Sequence, residues 1–280
     1  GDLAKIVTGP DFPTGGEIQS AGLKEMYETG KGRVVMRGKV KIEEKKGRQI
    51  IVVTEIPYQT NKSDFVLNIA RLATEKKLPD VSDLRDESAK EKVRVVIELK
   101  KGATPTYTLN KLYKLTKLQS NFDVNLLALV GHQPKVLNLK QVLEEYVKHR
   151  KIVVRKRAEF DLKKAEDRLE IVEGLLKALK QIDKIIAFIK KSANSSDALA
   201  GLVKNFSLSE RQAKAVLEMR LSALTRLEAG KLEKEAKELR TVIEKLKKLL
   251  GSDQEILSVI KSEVRGLKKE YDDGRRTKVV

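Results

Sequence analysis

Cysteine and tryptophan are both missing from this 280-residue chain. Without cysteine there is no disulfide framework, no thiolate metal site and no cysteine nucleophile. Histidine is almost missing too: His132 and His149 are the only two, far apart, and neither has a second ligand at zinc-site spacing. Aromatic residues make up 4% of the chain, too few for the stacking platforms on which single-strand nucleic-acid binding relies. No apolar run approaches the roughly 20 residues of a membrane span. The N-terminus shows no secretory pattern, so the chain reads as soluble and cytoplasmic. Proline occurs six times and never after Pro134.

What is abundant is positive charge. Lysine and arginine number 58 against 40 acidic residues, a net of +18, which points to a polyanionic partner with nucleic acid foremost. An acidic membrane surface would also attract such a chain. The length suits two domains, and 40% hydrophobic residues suffice for a sizeable core. A charged fraction of 35%, rich in Lys and Glu, suits a thermophile.

Residues 1–137 carry mixed signals. Gly32 to Val40 and Gln49 to Ile56 read as strands, the second through its β-branched run Ile50 to Thr54, and the polar turn Glu43 to Arg48 predicts a hairpin. Asp64 to Lys77 has helical spacing at Phe65, Ile69, Leu72 and Ala73, with Asn61 or Ser63 as its cap. Val93 to Leu99 reads as a strand after the polar stretch Asp83 to Lys92, and Thr108 to Thr116 as a helix. This half is an α+β domain.

From Asn138 the apolar residues settle into steps of three and four. One stripe runs Leu162, Ala165, Leu169, Val172, Leu176, Leu179; a second runs Leu232, Ala236, Leu239, Ile243, Leu246, Leu250. Each spans two to three heptads, which predicts an antiparallel helical hairpin whose stripes bury one another. Outgoing helices occupy 138–191, and 226–280 hold the returning helix and a C-terminal helix. Between them, 192–225 breaks the stripes at Asn194, Ser195, Ser196, Gly201 and Asn205, then resumes at Ser209 with a capping-box start, predicting a small all-α knob. Lys and Glu on such helices mostly hold them in water. The cluster Lys148, Arg150, Lys151, Arg155, Lys156 and Arg157 is harder to dismiss, since its nearest acids in sequence, Glu144, Glu145 and Glu159, lie at its edges.

Gly9-Pro10-Asp11-Phe12-Pro13-Thr14-Gly15-Gly16 fixes a rigid, sharply turned loop around one aromatic anchor. It is followed by Thr29-Gly30-Lys31-Gly32-Arg33, Glu55-Ile56-Pro57-Tyr58-Gln59 with Asn61-Lys62, and Asp83-Leu84-Arg85-Asp86-Glu87-Ser88. Then come Leu109-Asn110-Lys111-Leu112-Tyr113, Leu118-Gln119, His149-Arg150-Lys151, Ile171-Val172-Glu173-Gly174-Leu175 and Gln212 to Leu217 with Arg220-Leu221 and Leu224-Thr225. In this order and spacing the series resembles the DNA-handling A subunits of type IIA DNA topoisomerases, DNA gyrase and topoisomerase IV alike, over nearly the whole chain.

The resemblance implies a tower domain at 1–137 that supports gate DNA, a coiled coil, and an exit-gate dimerisation knob at 192–225. It also implies ATP-dependent double-strand passage by the whole enzyme, a homodimer, duplex DNA as ligand, and a gyrase B-like ATPase partner that brings magnesium and ATP; no cofactor is expected in this piece. The family's cleaving tyrosine follows an arginine in a winged-helix domain. None of Tyr27, Tyr58, Tyr107, Tyr113, Tyr146 and Tyr271 follows an arginine, so no catalytic residue is expected and the piece alone reads as inert in cleavage. Phosphate contacts are expected from Lys31, Arg33, Arg37, Lys39, Lys45, Lys46, Arg48 and Lys62, sequence-blind and salt-sensitive. The dimer contact is expected from Leu208, Gln212, Ala213, Val216, Leu217, Arg220, Leu221 and Leu224. An apolar face made of the leucines, Ala213 and Val216 could equally pack on the hairpin alone.

Asp83, Asp86 and Glu87 are spaced like a magnesium cluster, yet Arg85 among them favours Asp–Arg pairing, so no metal site is expected. Gly30-Lys31-Gly32-Arg33 lacks the Walker spacing of a phosphate loop. Two other readings stand beside the topoisomerase piece: a stand-alone architectural duplex-binding dimer on the same scaffold, and a basic coiled-coil protein for RNA or membrane, which leaves the motif series unexplained. The opening Gly1-Asp2-Leu3 lacks a methionine and reads as a cut from a longer protein.

Overall fold

The computed structural model describes residues 2–45, 47–89, 92–220 and 226–280. The chain divides into two compact units, Gly1–Tyr146 with Asp272–Val280, and Val147–Tyr271.

In the first unit the elements are α1 (Asp2–Ile6), β1 (Glu17–Ile18), α2 (Leu23–Thr29), β2 (Lys31–Arg37), β3 (Lys39–Lys45), β4 (Arg48–Glu55) and α3 (Lys62–Thr74). They continue with β5 (Val81–Asp86), β6 (Val95–Leu99), α4 (Pro105–Leu115), β7 (Gln119–Asn125), β8 (Leu127–Val130) and β9 (Gln133–Val136), and end on β10 (Lys278–Val279). One sheet has the order β10-β1-β2-β7, a second β3-β4-β6-β5, and β8-β9 form a two-stranded ribbon. The larger core lies on one face of the second sheet, where Ile51, Val53, Val95, Ile97 and Leu99 meet Phe65, Ile69 and Leu72 of α3 and Leu112 of α4. In the first sheet Ile18, Val34 and Met36 pack with Phe12, Leu23 and Met26.

The single strand expected over Gly32 to Val40 is two strands in two sheets. β2 pairs with β7, while β3 pairs with β4, and the chain changes sheet at Gly38, whose N–H donates to the Leu118 carbonyl at 2.8 Å. A Cβ there would lie 2.6 Å from the Glu55 carbonyl oxygen, closer than side chains tolerate, so only glycine passes. The expected polar turn is shorter than Glu43 to Arg48: strand pairing continues out to Lys45 opposite Arg48. The stretch Asp83 to Lys92 is in part strand β5. Asn61 caps α3, accepting from the N–H groups of Ser63 at 2.9 Å and Asp64 at 3.2 Å.

In the second unit α5 (Leu139–Leu179), which begins in the first, is followed by α6 (Ile182–Lys191), α7 (Ser195–Phe206), α8 (Glu210–Leu217), α9 (Arg226–Leu250) and α10 (Asp253–Tyr271). Asn138 and Gln141 start α5 by exchanging side chain–backbone bonds of 2.9 and 2.8 Å. Glu166 pairs with Lys247 at 2.7 Å and Glu173 with Arg240 at 2.6 Å, so α5 and α9 run antiparallel. Ala165 and Val172 of the first stripe, and Ala236 and Ile243 of the second, are buried, and the rest of both stripes is half-buried. The expected breaks at 192–205 are a helix: Asn194 caps α7, and Gly201 sits within it where an added Cβ would strike the Phe188 ring. Ser209 and Gln212 form the expected capping box of α8.

The end of the chain differs from the helical reading of 226–280. Helix stops at Tyr271, and β10 lies parallel to β1.

Candidate nucleic-acid interface

Alternation along β2 sends Val34 and Met36 inward and Lys31, Arg33 and Arg37 to the opposite face. Lys31 is exposed and forms no ion pair among the described residues. Arg33 donates to Asp123 at 2.9 Å. Arg37 donates to Gln119 at 2.7 Å and lies 4.8 Å from the centre of the Tyr113 ring, so it is half-buried and held by neutral groups. The outward face of this sheet is therefore polar and cationic: of the three expected contacts on it Arg33 and Arg37 are already oriented, and Lys278 of β10 pairs there with Glu17 at 3.6 Å.

The remaining candidates fall elsewhere. Lys39 reaches Glu55 at 3.3 Å on edge strand β3, and that same carboxylate accepts from Gly16 N–H at 2.5 Å. Lys45 and Arg48 face one another at the end of the β3–β4 hairpin, exposed and without an ion pair among the described residues. Lys46 lies outside the described residues. Lys62 opens α3, where the helix dipole disfavours a cation, and pairs with Asp86 at 2.7 Å. Hydrogen bonding from Lys62, with help from Ser88, pulls the Asp86 carboxyl down to about 2. Of the seven expected contacts among the described residues, Lys31, Arg33 and Arg37 share a face of β2, Lys45 and Arg48 sit at the hairpin end, and Lys39 and Lys62 are already paired with Glu55 and Asp86.

The acidic run beside Lys62 pairs with arginine, as its sequence suggested. Arg85 binds Asp83 and Glu98 at 2.6 Å each and Glu87 at 3.3 Å; Arg94 takes Glu87 at 3.1 Å and Glu43 at 3.7 Å. These pairs lie on the face of the second sheet opposite its helices, where Ile50, Val52 and Val96 form a small buried cluster of their own. The ionic lattice, with long aliphatic stems, roofs that apolar trio.

The basic cluster of α5 has partners its local sequence does not reveal. Arg150 and Arg157 each bind Glu263 at 2.6 Å. Lys151 and Arg155 share Asp253 at 3.1 and 3.0 Å. Both acids are on α10, about a hundred residues on in sequence, so most of the cluster stitches α5 to α10.

The apolar residues expected at a dimer contact are largely used inside the chain. Leu208, Ala213 and Val216 are buried with Ala178, Ile185 and Leu202, which favours packing within the unit for these side chains. Leu217 is half-buried against the same cluster. Gln212 lies along α5, donating to the Glu170 carbonyl at 2.8 Å, and Arg220 is exposed. Leu221 and Leu224 lie outside the described residues.

Sequence reasoning missed what holds the Gly9–Gly16 loop. Asp11 accepts from the N–H groups of Thr277 at 2.8 Å and Arg276 at 3.1 Å, which holds its carboxyl below the usual range. Arg275 donates to the carbonyls of Pro10 at 3.0 Å and Gly9. Phe12, the loop's aromatic anchor, packs against Tyr58 and Phe122 with ring centres 5.6 and 5.2 Å away. Tyr58 is therefore part of an aromatic cluster, while burial raises the phenols of Tyr27 and Tyr113 above their ordinary value.

The family of DNA gyrase/topoisomerase IV A subunits matches residues 2–265. The chain belongs to that family. The DNA gyrase A subunit of Halalkalibacterium halodurans is 47% identical over 279 residues, covering 99% of this chain and 34% of its own length. The corresponding proteins of Clostridium acetobutylicum and Deinococcus deserti are 46% and 45% identical, again over 99% of the chain and 34% of their own lengths. The chain spans about a third of the length of these relatives. No helix among the described residues is long and apolar enough to cross a membrane.

Proposed function

We propose that this chain is the DNA-supporting and gating piece of a type IIA topoisomerase of the gyrase A kind. The observation that carries the reading is 45–47% identity to DNA gyrase A subunits along 99% of the chain. The first unit serves as a tower that holds duplex DNA through phosphate contacts, with the free Lys31, Lys45 and Arg48 leading and Arg33 and Arg37 pre-oriented beside Lys31. Such contacts carry no sequence information, as suits an enzyme acting on any duplex. The antiparallel α5 and α9 form a stiff coiled-coil arm, and the α6–α8 knob makes a two-fold contact that opens and closes without unfolding. With Leu208, Ala213 and Val216 committed to the knob's own core, that contact falls to Leu217, Arg220 and the stretch 221–225.

The whole enzyme passes one duplex through another at the cost of ATP. ATP and magnesium enter through a gyrase B-like partner in the cytoplasm, and the cleaving tyrosine lies outside this chain, which alone neither cuts nor supercoils DNA. Two measurements test the reading: sedimentation of the chain, expected to be a dimer at micromolar concentration, and duplex binding in titrated salt, expected to weaken linearly on log–log axes. A chain that stays monomeric at high micromolar concentration and ignores duplex DNA overturns it, and a covalent DNA adduct on Tyr58 overturns the division of labour.

A further inference from the structure

From Leu99 to Phe122 the chain has five lysines, Lys100, Lys101, Lys111, Lys114 and Lys117, and no acidic residue. In a protein with 40 acidic residues such a stretch is uncommon, and the fold gathers it on α4 and the turns flanking that helix. Tyr107, Asn110, Lys114 and Lys117 are exposed and Lys111 is half-buried, so Tyr107, Lys111 and Lys114, spaced by four and three, line one side of the helix. None of the five lysines forms an ion pair among the described residues. Lys111 is held 4.6 Å above the Tyr107 ring, a cation–π contact that orients the ammonium without neutralising it.

The carboxylates that reach α4 act on its packed side. Asp80 accepts from the buried Thr108 hydroxyl at 3.3 Å, and Glu17 acts on the half-buried Tyr113. The outer side is therefore uncompensated, unlike the α5 cluster, whose arginines are neutralised by Asp253 and Glu263. The first turn of α4 contains no acid, so nothing there offsets the positive end of the helix dipole on the side of Lys100 and Lys101.

We propose that the lysine face of α4, with Lys100 and Lys101 at its entrance, is a further phosphate-backbone contact for duplex nucleic acid, made by residues other than those of the β2 face and the β3–β4 hairpin. The inference rests on the reading of the first unit as a duplex-binding tower and extends it to residues outside that set. Lysine is depleted at protein–protein interfaces, whereas unpaired lysines among threonine, asparagine and tyrosine donors are what phosphate oxygens take. An acidic protein is thereby the poorer occupant.

The test uses the whole 280-residue chain with the triple variant Lys111→Gln/Lys114→Gln/Lys117→Gln and, beside it, Lys45→Gln/Arg48→Gln. Binding of a mixed-sequence 40-base-pair duplex is followed by anisotropy across a salt series, with circular dichroism and thermal melting to verify folding. The triple variant is expected to bind at least tenfold more weakly at about 0.1 M salt, its log–log slope lowered by about 0.9 for each lost phosphate contact, while the arginine version of the triple restores both. A triple variant that melts like the parent and keeps its affinity and slope, while the hairpin variant loses both, overturns the α4 site and leaves the tower intact. If the parent chain binds no duplex, the tower reading falls and this inference with it. Polyglutamate of equal charge competing as well as duplex shows an acidic-protein surface and overturns the assignment to nucleic acid.

Discussion

The Thr277 hydroxyl accepts the Phe12 N–H at 2.7 Å, joining residues 265 positions apart in sequence. Thr277 is 1% exposed, and its own proton is shared between the carbonyls of Gly15 at 3.2 Å and Phe12 at 3.4 Å. A valine at this place keeps the shape and leaves the buried Phe12 N–H without its partner. Thr277→Val is expected to cost about 1–3 kcal/mol, measured by urea unfolding of the first unit, and Thr277→Ser to recover most of it. A valine variant as stable as the parent would show that the clasp contributes nothing.

That clasp also marks the limit of what the sequence revealed. Periodicity located α5 and α9, and their stripes are buried or half-buried as expected, because a 3.6-residue repeat is written locally. The capping box at Ser209 was legible for the same reason and the cap of α3 was narrowed to Asn61 or Ser63, whereas the β-hairpin was legible only in part, because its first strand is β3 and not Gly32 to Val40. Strand β5 was not, since Asp83 and Asp86 look like loop residues unless Lys62, Arg85 and Glu98 are known to meet them. Nor was the partnership of the α5 basic cluster with Asp253 and Glu263, which only tertiary structure supplies. At the candidate interface, local sequence named cations but could not separate the committed Lys62 from the free Lys45, and it passed over the α4 lysines because they belong to an apparently ordinary amphipathic helix.

Asp86 supplies a pH signature. Its carboxyl, lowered from 3.8 to about 2 chiefly by Lys62, stabilises the fold fully above its unfolded value, and the contribution is lost as pH falls through the folded one, between about 4 and 2. Because Lys62 and Asp86 are each about a third exposed, solvent screening holds the pair to about 0–1 kcal/mol. Lys62→Met is expected to move the Asp86 carboxyl back toward the ordinary range in an NMR titration and to flatten the acid limb of stability there. An unmoved carboxyl would assign the shift to Ser88 instead.

The α5–α10 ion pairs predict a separation of roles. Glu263→Gln removes the charge that Arg150 and Arg157 share and is expected to lower stability by about 1 kcal/mol, since both members of the Arg150 pair are only partly exposed. Lys151→Gln/Arg155→Gln is expected to leave duplex affinity within twofold of the parent, because those cations already hold Asp253, and to fray α10 in hydrogen exchange. A large loss of DNA binding by that double variant would return the cluster to the nucleic-acid surface.

The junction between α5 and α8 is close enough for a double-mutant test. An added Cβ on Gly174 would lie 2.5 Å from the Gln212 Cγ and 2.7 Å from its Cβ, atoms near the backbone of α8 that cannot swing aside. Meanwhile the Gln212 amide donates to Glu170 in the preceding turn of α5. In an open helix Gly→Ala gains about 1 kcal/mol from propensity, so the sign of the effect reports the packing. Gly174→Ala is expected to destabilise the second unit by about 1–3 kcal/mol through overpacking, and Gln212→Ala by a lesser amount through the lost bond and cap. Alanine at 212 removes the Cγ contact but keeps the Cβ at 2.7 Å, so the clash is relieved in part and the double variant is expected to lose less than the sum of the two singles. Additive effects in urea melts of the four proteins would mean that α8 does not sit against α5 at this glycine.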